Sequence, residues 1–170
     1  FEIIRGTLAP IAEANRLYSL LLSFPDSFHY GIEERKFLSK LISNFFMFPV
    51  AVEFNNNEWN SVRVIEGLKE RQISLCLHAT PIVEKTSLSF DVVTSPRAYI
   101  RFHDISDSLG DEAKQGYCYS ADELTTWCNR IETISTQARA LRVFFDNHRN
   151  SHSIINAADL SKLCKNTNLF

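Results

Sequence analysis

A chain of 170 residues, 45% of them hydrophobic, is long enough to bury a substantial core, and one domain is the default expectation. Its formal charge of -2, with no run of basic residues, gives no electrostatic footprint for nucleic acid. The longest apolar stretch, around Leu20 to Leu22, is too short to span a bilayer, and it lies too far into the chain to be a signal peptide.

In chain order, residues 7 to 16 read as helical and lead into a strand at 17 to 24 that Pro25 stops. Phe37, Leu38, Leu41, Ile42 and Phe45 recur at helical spacing and predict an amphipathic helix. Pro49 opens a second strand at 49 to 55. Trp59, Val62, Ile65 and Leu68 mark a helix ending near Arg71, and a third strand covers 73 to 79. Residues 80 to 95 lose the regular alternation and read as a loop or short helix. The fourth strand, 97 to 103, precedes a long polar loop, 104 to 119. Ser120 and Glu123 form a capping box for a helix lined by Leu124, Trp127, Ile131, Ile134 and Ala138. A fifth strand at 140 to 147 and a helix at 152 to 165 follow. The chain opens at Phe1 inside a helical pattern, so it is expected to begin mid-protein.

Strands separated by helix-length crossovers argue for a parallel α/β sheet. No GxGxxG or GxxxxGK[ST] stands at a strand exit, so neither a dinucleotide fold nor a P-loop has support. The four cysteines, Cys76, Cys118, Cys128 and Cys164, show no CxxC spacing. Cys76 falls in a strand and Cys128 and Cys164 in helices, which points to buried reduced thiols and a cytoplasmic compartment.

Polar residues of one parity end each strand: Ser23, then Glu53 with Asn55, then His78, Arg101 with His103, and Asp146 with His148. Side chains two apart on a strand share a face. In a doubly wound sheet both strand faces meet helices and are apolar. In a (β/α) barrel one face fills the lumen and carries functional groups at its C-terminal mouth. Ala98, Ile100 and Phe102 against Tyr99, Arg101 and His103 fits the barrel better. The expected fold is therefore α/β and TIM-barrel-like, present as about five of its eight strands. Such a piece needs the missing N-terminal strands or a partner chain to cover its parallel edges.

The strings LLLSFPDSFHY, VAVEFNNNEW, AYIRFHD, YCYSADEL and FFDNHRNSHSIINA, in that order, resemble the C-terminal portion of the YecE-like family, catalogued as domain of unknown function 72. The resemblance implies a TIM-barrel-like fold in a longer domain and no established reaction. The family pattern resembles LLQFP, EFRN.SW, RFHGRN and FNNH..G.A..NA. Ser23 stands here for its glutamine, Asn55 for the arginine of EFR, and Asp104, Ile105 and Ser106 for the Gly-Arg-Asn after RFH. Asp146 replaces the first asparagine of FNNH and Ser151 the glycine that follows. Glu53, Trp59, Arg101, His103, Tyr117, Tyr119, Asn147, His148 and Asn156 match it.

His103 and Arg101, on one face at a strand end, suit a general acid/base and an anchor for an anion or carbonyl. His148 is the second proton-transfer candidate, and Glu53 and Asp146 are the base or orienting carboxylates. The bland alternative pairs Arg101 with Glu53 and satisfies the histidines with neighbours. Tyr117, Tyr119, Asn55 and His78 are candidate substrate contacts, the two tyrosines either covering a ligand or anchoring the loop. His103, His148, Glu53 and Asp146 are chemically able to ligate a divalent metal, but no HxH or HExxH pattern supports one, and no cofactor is specified. Ser23 lacks a GxSxG context. These residues suggest acid/base, hydrolase-like chemistry on a small polar substrate. The rival is a non-catalytic binding or degenerate scaffold.

Overall fold

The computed structural model describes residues 1–79, 92–104 and 116–166. Most of the segments expected as loops at 80–95 and 104–119 lie outside the described residues. The elements are α1 (Glu2–Glu13), β1 (Leu20–Phe24), α2 (Ile32–Asn44), β2 (Val50–Phe54), α3 (Val62–Glu70), β3 (Ser74–Ala79), β4 (Arg97–Phe102), α4 (Ala121–Ser135), β5 (Ala140–Phe145) and α5 (His152–Asn166). Strands and helices alternate, as an α/β fold requires. The chain divides inside β3 into two compact units, Phe1–Cys76 and Leu77–Phe170.

In the first unit, β2 lies between β1 and the start of β3. β1 and β2 run parallel with Leu20 opposite Val50 and Ser23 opposite Glu53, while Ala51 faces Ser74 across to β3. The β1 ladder starts at Leu20 rather than at 17, where the Leu20 N–H donates to the Pro49 carbonyl over 2.7 Å. Leu38, Ile42 and Phe45 bury their shared stripe against Val50, Val52, Trp59 and Leu68. Trp59 sits not in α3 but in a single 3₁₀ turn, Asn57–Trp59, whose N-cap Asn56 accepts from the Glu58 N–H. α3 begins afresh behind its own cap, Ser61, which accepts from the Val64 N–H. α1 starts earlier than its pattern suggests and buries none of its residues fully.

In the second unit, β4 lies between the end of β3 and β5, and β4 and β5 are parallel from Arg97 opposite Ala140 to Phe102 opposite Phe145. Ala98, Ile100 and Phe102 pack on Leu124, Trp127, Cys128, Ile131 and Ile134 of α4 and on Leu160 and Cys164 of α5. The capping box opening α4 is present in both directions, Ser120 to Glu123 and back. β1 pairs only with β2 and β5 only with β4, so the sheet is open among the described residues. The strand expected to reach residue 147 ends at Phe145. Asp146 and His148 are therefore placed by the turn beyond the strand, not by its alternation.

Candidate functional site

Parallel strands deliver their last side chains to one end of a sheet, so residues two apart collect there. In the first unit the direct pairing of Ser23 with Glu53 makes this concrete. The Ser23 hydroxyl donates to Glu53 Oε2 over 2.6 Å, and the Cys76 thiol donates to Oε1 over 3.5 Å. Glu53 has 0% of its surface exposed, so two neutral donors from the flanking strands hold a fully buried carboxylate. Asn55, one residue past β2, is exposed, and its backbone N–H donates to the Phe24 carbonyl. Nearby, the Glu58 carboxylate accepts the Tyr30 N–H at 2.9 Å and lies 3.2 Å from His29. Those bonds hold its pKa below the usual carboxylate value.

In the second unit, Arg101 reaches from β4 to the turn after β5, where Nη2 donates to Asp146 Oδ2 over 2.6 Å. The Arg101 side chain is 23% exposed and Asp146 49%. Asp146 is held in place by its own N–H, which donates to the Phe102 carbonyl. Its carboxylate is thereby fixed beside the Arg101 guanidinium. His103 lies one step past β4, its ring stacked on His78 with centroids 4.9 Å apart and planes 29° from parallel. Both residues are partly exposed, with His78 Nε2 itself buried. His148, by contrast, is exposed, with Nδ1 3.2 Å from the Asp146 carbonyl oxygen.

Behind this polar edge lies a buried hydrogen-bonded frame. Tyr119 is buried, and its hydroxyl lies 2.6 Å from the Ala79 carbonyl oxygen and 2.8 Å from that of His103. It thus ties the exits of β3 and β4 together. The Tyr119 N–H donates to Asn156 Oδ1, and Asn156 Nδ2 donates back to the Tyr119 carbonyl. Asn147 Nδ2 donates to Asn156 Oδ1 at 2.8 Å and to the Tyr117 carbonyl at 2.9 Å. Both asparagines are buried essentially completely. Tyr117 donates its hydroxyl to Glu123 Oε1 over 2.7 Å, while Glu123 Oε2 closes the capping box on Ser120.

Burial, reinforced for Tyr117 by the Glu123 hydrogen bond and for Tyr119 by the Glu123 charge, pushes both phenols well above their usual value. They are neutral donors at physiological pH and not bases. The loop returns through Gly116 at φ 78°, with Arg149 packed where a Cβ would stand, so only glycine fits there without strain. Asp104 accepts the Tyr117 N–H at 3.1 Å and lies 4.0 Å from Arg149 Nε.

The second unit thus brings together Arg101, Asp146, His103 and His78, with Tyr117 and Tyr119 in the supporting frame and His148 at its exposed edge. Glu53 and Asn55 belong to the first unit. Two features escaped the sequence reading: the Ser23–Glu53 pair and the role of Asn156. The first was visible in strand register alone. The second was visible as a polar residue at i, i+4, i+8 with Leu160 and Cys164, on a stripe that is otherwise apolar.

A family model described as "Protein of unknown function DUF72" matches residues 1–169. Two solved structures of DUF72 family proteins are similar. One from Thermotoga maritima is 26% identical with a TM-score of 0.86, covering 96% of this chain and 64% of its own. One from Enterococcus faecalis is 24% identical with a TM-score of 0.82, covering 95% of this chain and 63% of its own. The chain therefore spans a little under two thirds of the length of these structures. No curated protein matches it. Among the described residues, no helix is long and apolar enough to cross a membrane.

Proposed function

The chain belongs to the DUF72 family, and on that premise we propose that its strands are successive units of a (β/α) barrel whose strand exits perform acid/base chemistry on a small polar substrate. The observation that carries this reading is the grouping of Arg101, His103 and His78 at the exits of β3 and β4, around a rigid frame rather than in a packed core. In barrels of this kind, residues at the C-terminal strand ends serve chemistry while the opposite end serves stability. Imidazole is the side chain suited to exchange a proton near neutral pH, so His103 is the proton-transfer group and His78 its stacked neighbour. Arg101, oriented by Asp146, anchors an anionic or carbonyl group of the substrate. Hydrolysis is the simplest reaction for these parts, with His148 as an auxiliary proton carrier at the rim. In the first unit, taken by itself, Glu53 is a proposed carboxylate base held by Ser23 and Cys76, and Asn55 a proposed exposed polar contact.

A non-catalytic binding scaffold is the rival, favoured by one observation: Asp146 already occupies Arg101 at 2.6 Å. A thermal-shift screen of phosphorylated and carboxylated metabolites, followed by turnover assays on the hits, separates the two. We expect a ligand that stabilises the wild type, loses its effect in Arg101→Gln, and still binds His103→Ala while its turnover falls about 100-fold or more. Equal shifts in all three proteins would count against the site. Binding without any turnover in the wild type would select the scaffold.

A further inference from the structure

The sulfur atoms of Cys128 on α4 and Cys164 on α5 lie 3.2 Å apart, both thiols buried, at 3% and 1% exposure. The residues are 36 apart in sequence and belong to different helices, so their contact is made by tertiary packing and not by a local turn. A disulfide needs a sulfur separation of about 2.05 Å, so little more than an ångström of approach separates the thiol pair from a bond. A second observation concerns access. A cavity of about 290 Å³ is lined by Cys164, Ile131, Leu160, Ser161 and Arg142, with Val143 and Phe145 of β5 among its other walls. Ser161 and Arg142 are exposed, so the cavity opens to solvent on a wall that includes the buried residue Cys164.

We propose that Cys128 and Cys164 form an oxidative modification site, in which a small hydroperoxide entering this cavity converts the dithiol to a disulfide that locks α4 to α5. The step balances in two stages. The Cys164 thiolate attacks one peroxide oxygen, giving a sulfenic acid and, after protonation, water. The Cys128 sulfur then attacks the sulfenic sulfur and expels the hydroxyl, which takes up the Cys128 proton and leaves as the second water. In sum, two thiols and hydrogen peroxide give a disulfide and two waters. Burial, with the hydrogen bond to Cys128, pushes the Cys164 thiol up to about 12. The pair is consequently a slow responder that stays reduced unless the oxidant persists. Cys118, although exposed, lies outside this contact.

Oxidation of the native full chain with hydrogen peroxide tests the site. The reagent is removed, the remaining thiols are alkylated in denaturant, and the unreduced digest is mapped by mass spectrometry. The expected result is a fall from four reactive thiols to two, a Cys128–Cys164 linked peptide, an unchanged near-ultraviolet spectrum, and a melting temperature raised by about 5–10 °C over the reduced form. Cys128→Ala and Cys164→Ala should each abolish the link, while Cys76→Ala and Cys118→Ala leave it intact. Retention of four thiols in the wild type would overturn the proposal. So would a link mapped to other cysteines, or one that forms only after the native spectrum is lost. The wild-type map decides the question even where a variant fails to fold.

Discussion

Asn156 accepts from the Tyr119 N–H and from Asn147 and donates to the Tyr119 carbonyl, so one amide completes three buried hydrogen bonds. Truncation to alanine would strand all three partners away from water, and unsatisfied buried groups cost more than the bonds contribute. Asn156→Ala is accordingly expected to lower unfolding stability by about 3 kcal/mol, measured by urea titration. Asn156→Asp keeps the accepting oxygen but sets a second acceptor against the Tyr119 carbonyl, so it should not restore wild-type stability. A loss equal to that of an exposed substitution, within about 0.5 kcal/mol, would show that the frame is not built on this residue. At this scale, sequence located the chemistry-bearing types and left the partner of Asp146 unnamed. Arg101 and His103 were legible from parity, because β4 runs regularly to Phe102. The pairing of Arg101 with Asp146 was not, because Asp146 is held by a turn beyond β5 whose path depends on Asn147, a contact no spacing rule contains.

At the scale of elements, the helices and strands followed from apolar periodicity, and deviations cluster where a local cap competes with the period. Trp59 continues the stripe of α3 in sequence, yet Asn56 and Ser61 each cap a separate turn and split the helix. β5 continues in composition past Phe145, but burial of Asn147 ends the alternation. The α4 cap is the opposite case, where Ser-x-x-Glu spacing named the contact in advance. Glu123 there has a double use, capping the helix through one oxygen and holding Tyr117 through the other. Ser120→Ala removes the side-chain acceptor for the Glu123 N–H and should destabilise the protein by about 1 kcal/mol. Helix content by circular dichroism should remain unchanged in that variant, because tertiary packing of α4 carries most of its stability.

For the whole molecule, the raised phenols of Tyr117 and Tyr119 set an alkaline limit on stability. Their folded values lie above the ordinary 10.0, so above that pH the native state holds more protons than the unfolded chain. The stabilisation is fully present below about pH 10 and is lost as pH rises through the folded values. Urea midpoints are expected to be flat with respect to these groups up to pH 9 and to fall above pH 10. The fall should be shallower in Tyr119→Phe, which has one fewer proton to lose. An identical slope in both proteins would remove Tyr119 from the account. The α/β class and the parallel pairing are decided by features that many residues share, and these were legible across the described elements. The frame behind the site depends on single hydrogen bonds between residues 9 to 40 positions apart, and only coordinates display those.

The frame of Asn147, Asn156 and Tyr119 contains no group that changes charge between acid and the alkaline limit. The backbone that carries the His78 and His103 ring stack is thus anchored by hydrogen bonds whose pattern is the same across that whole range, so the seat of the stack does not itself depend on pH.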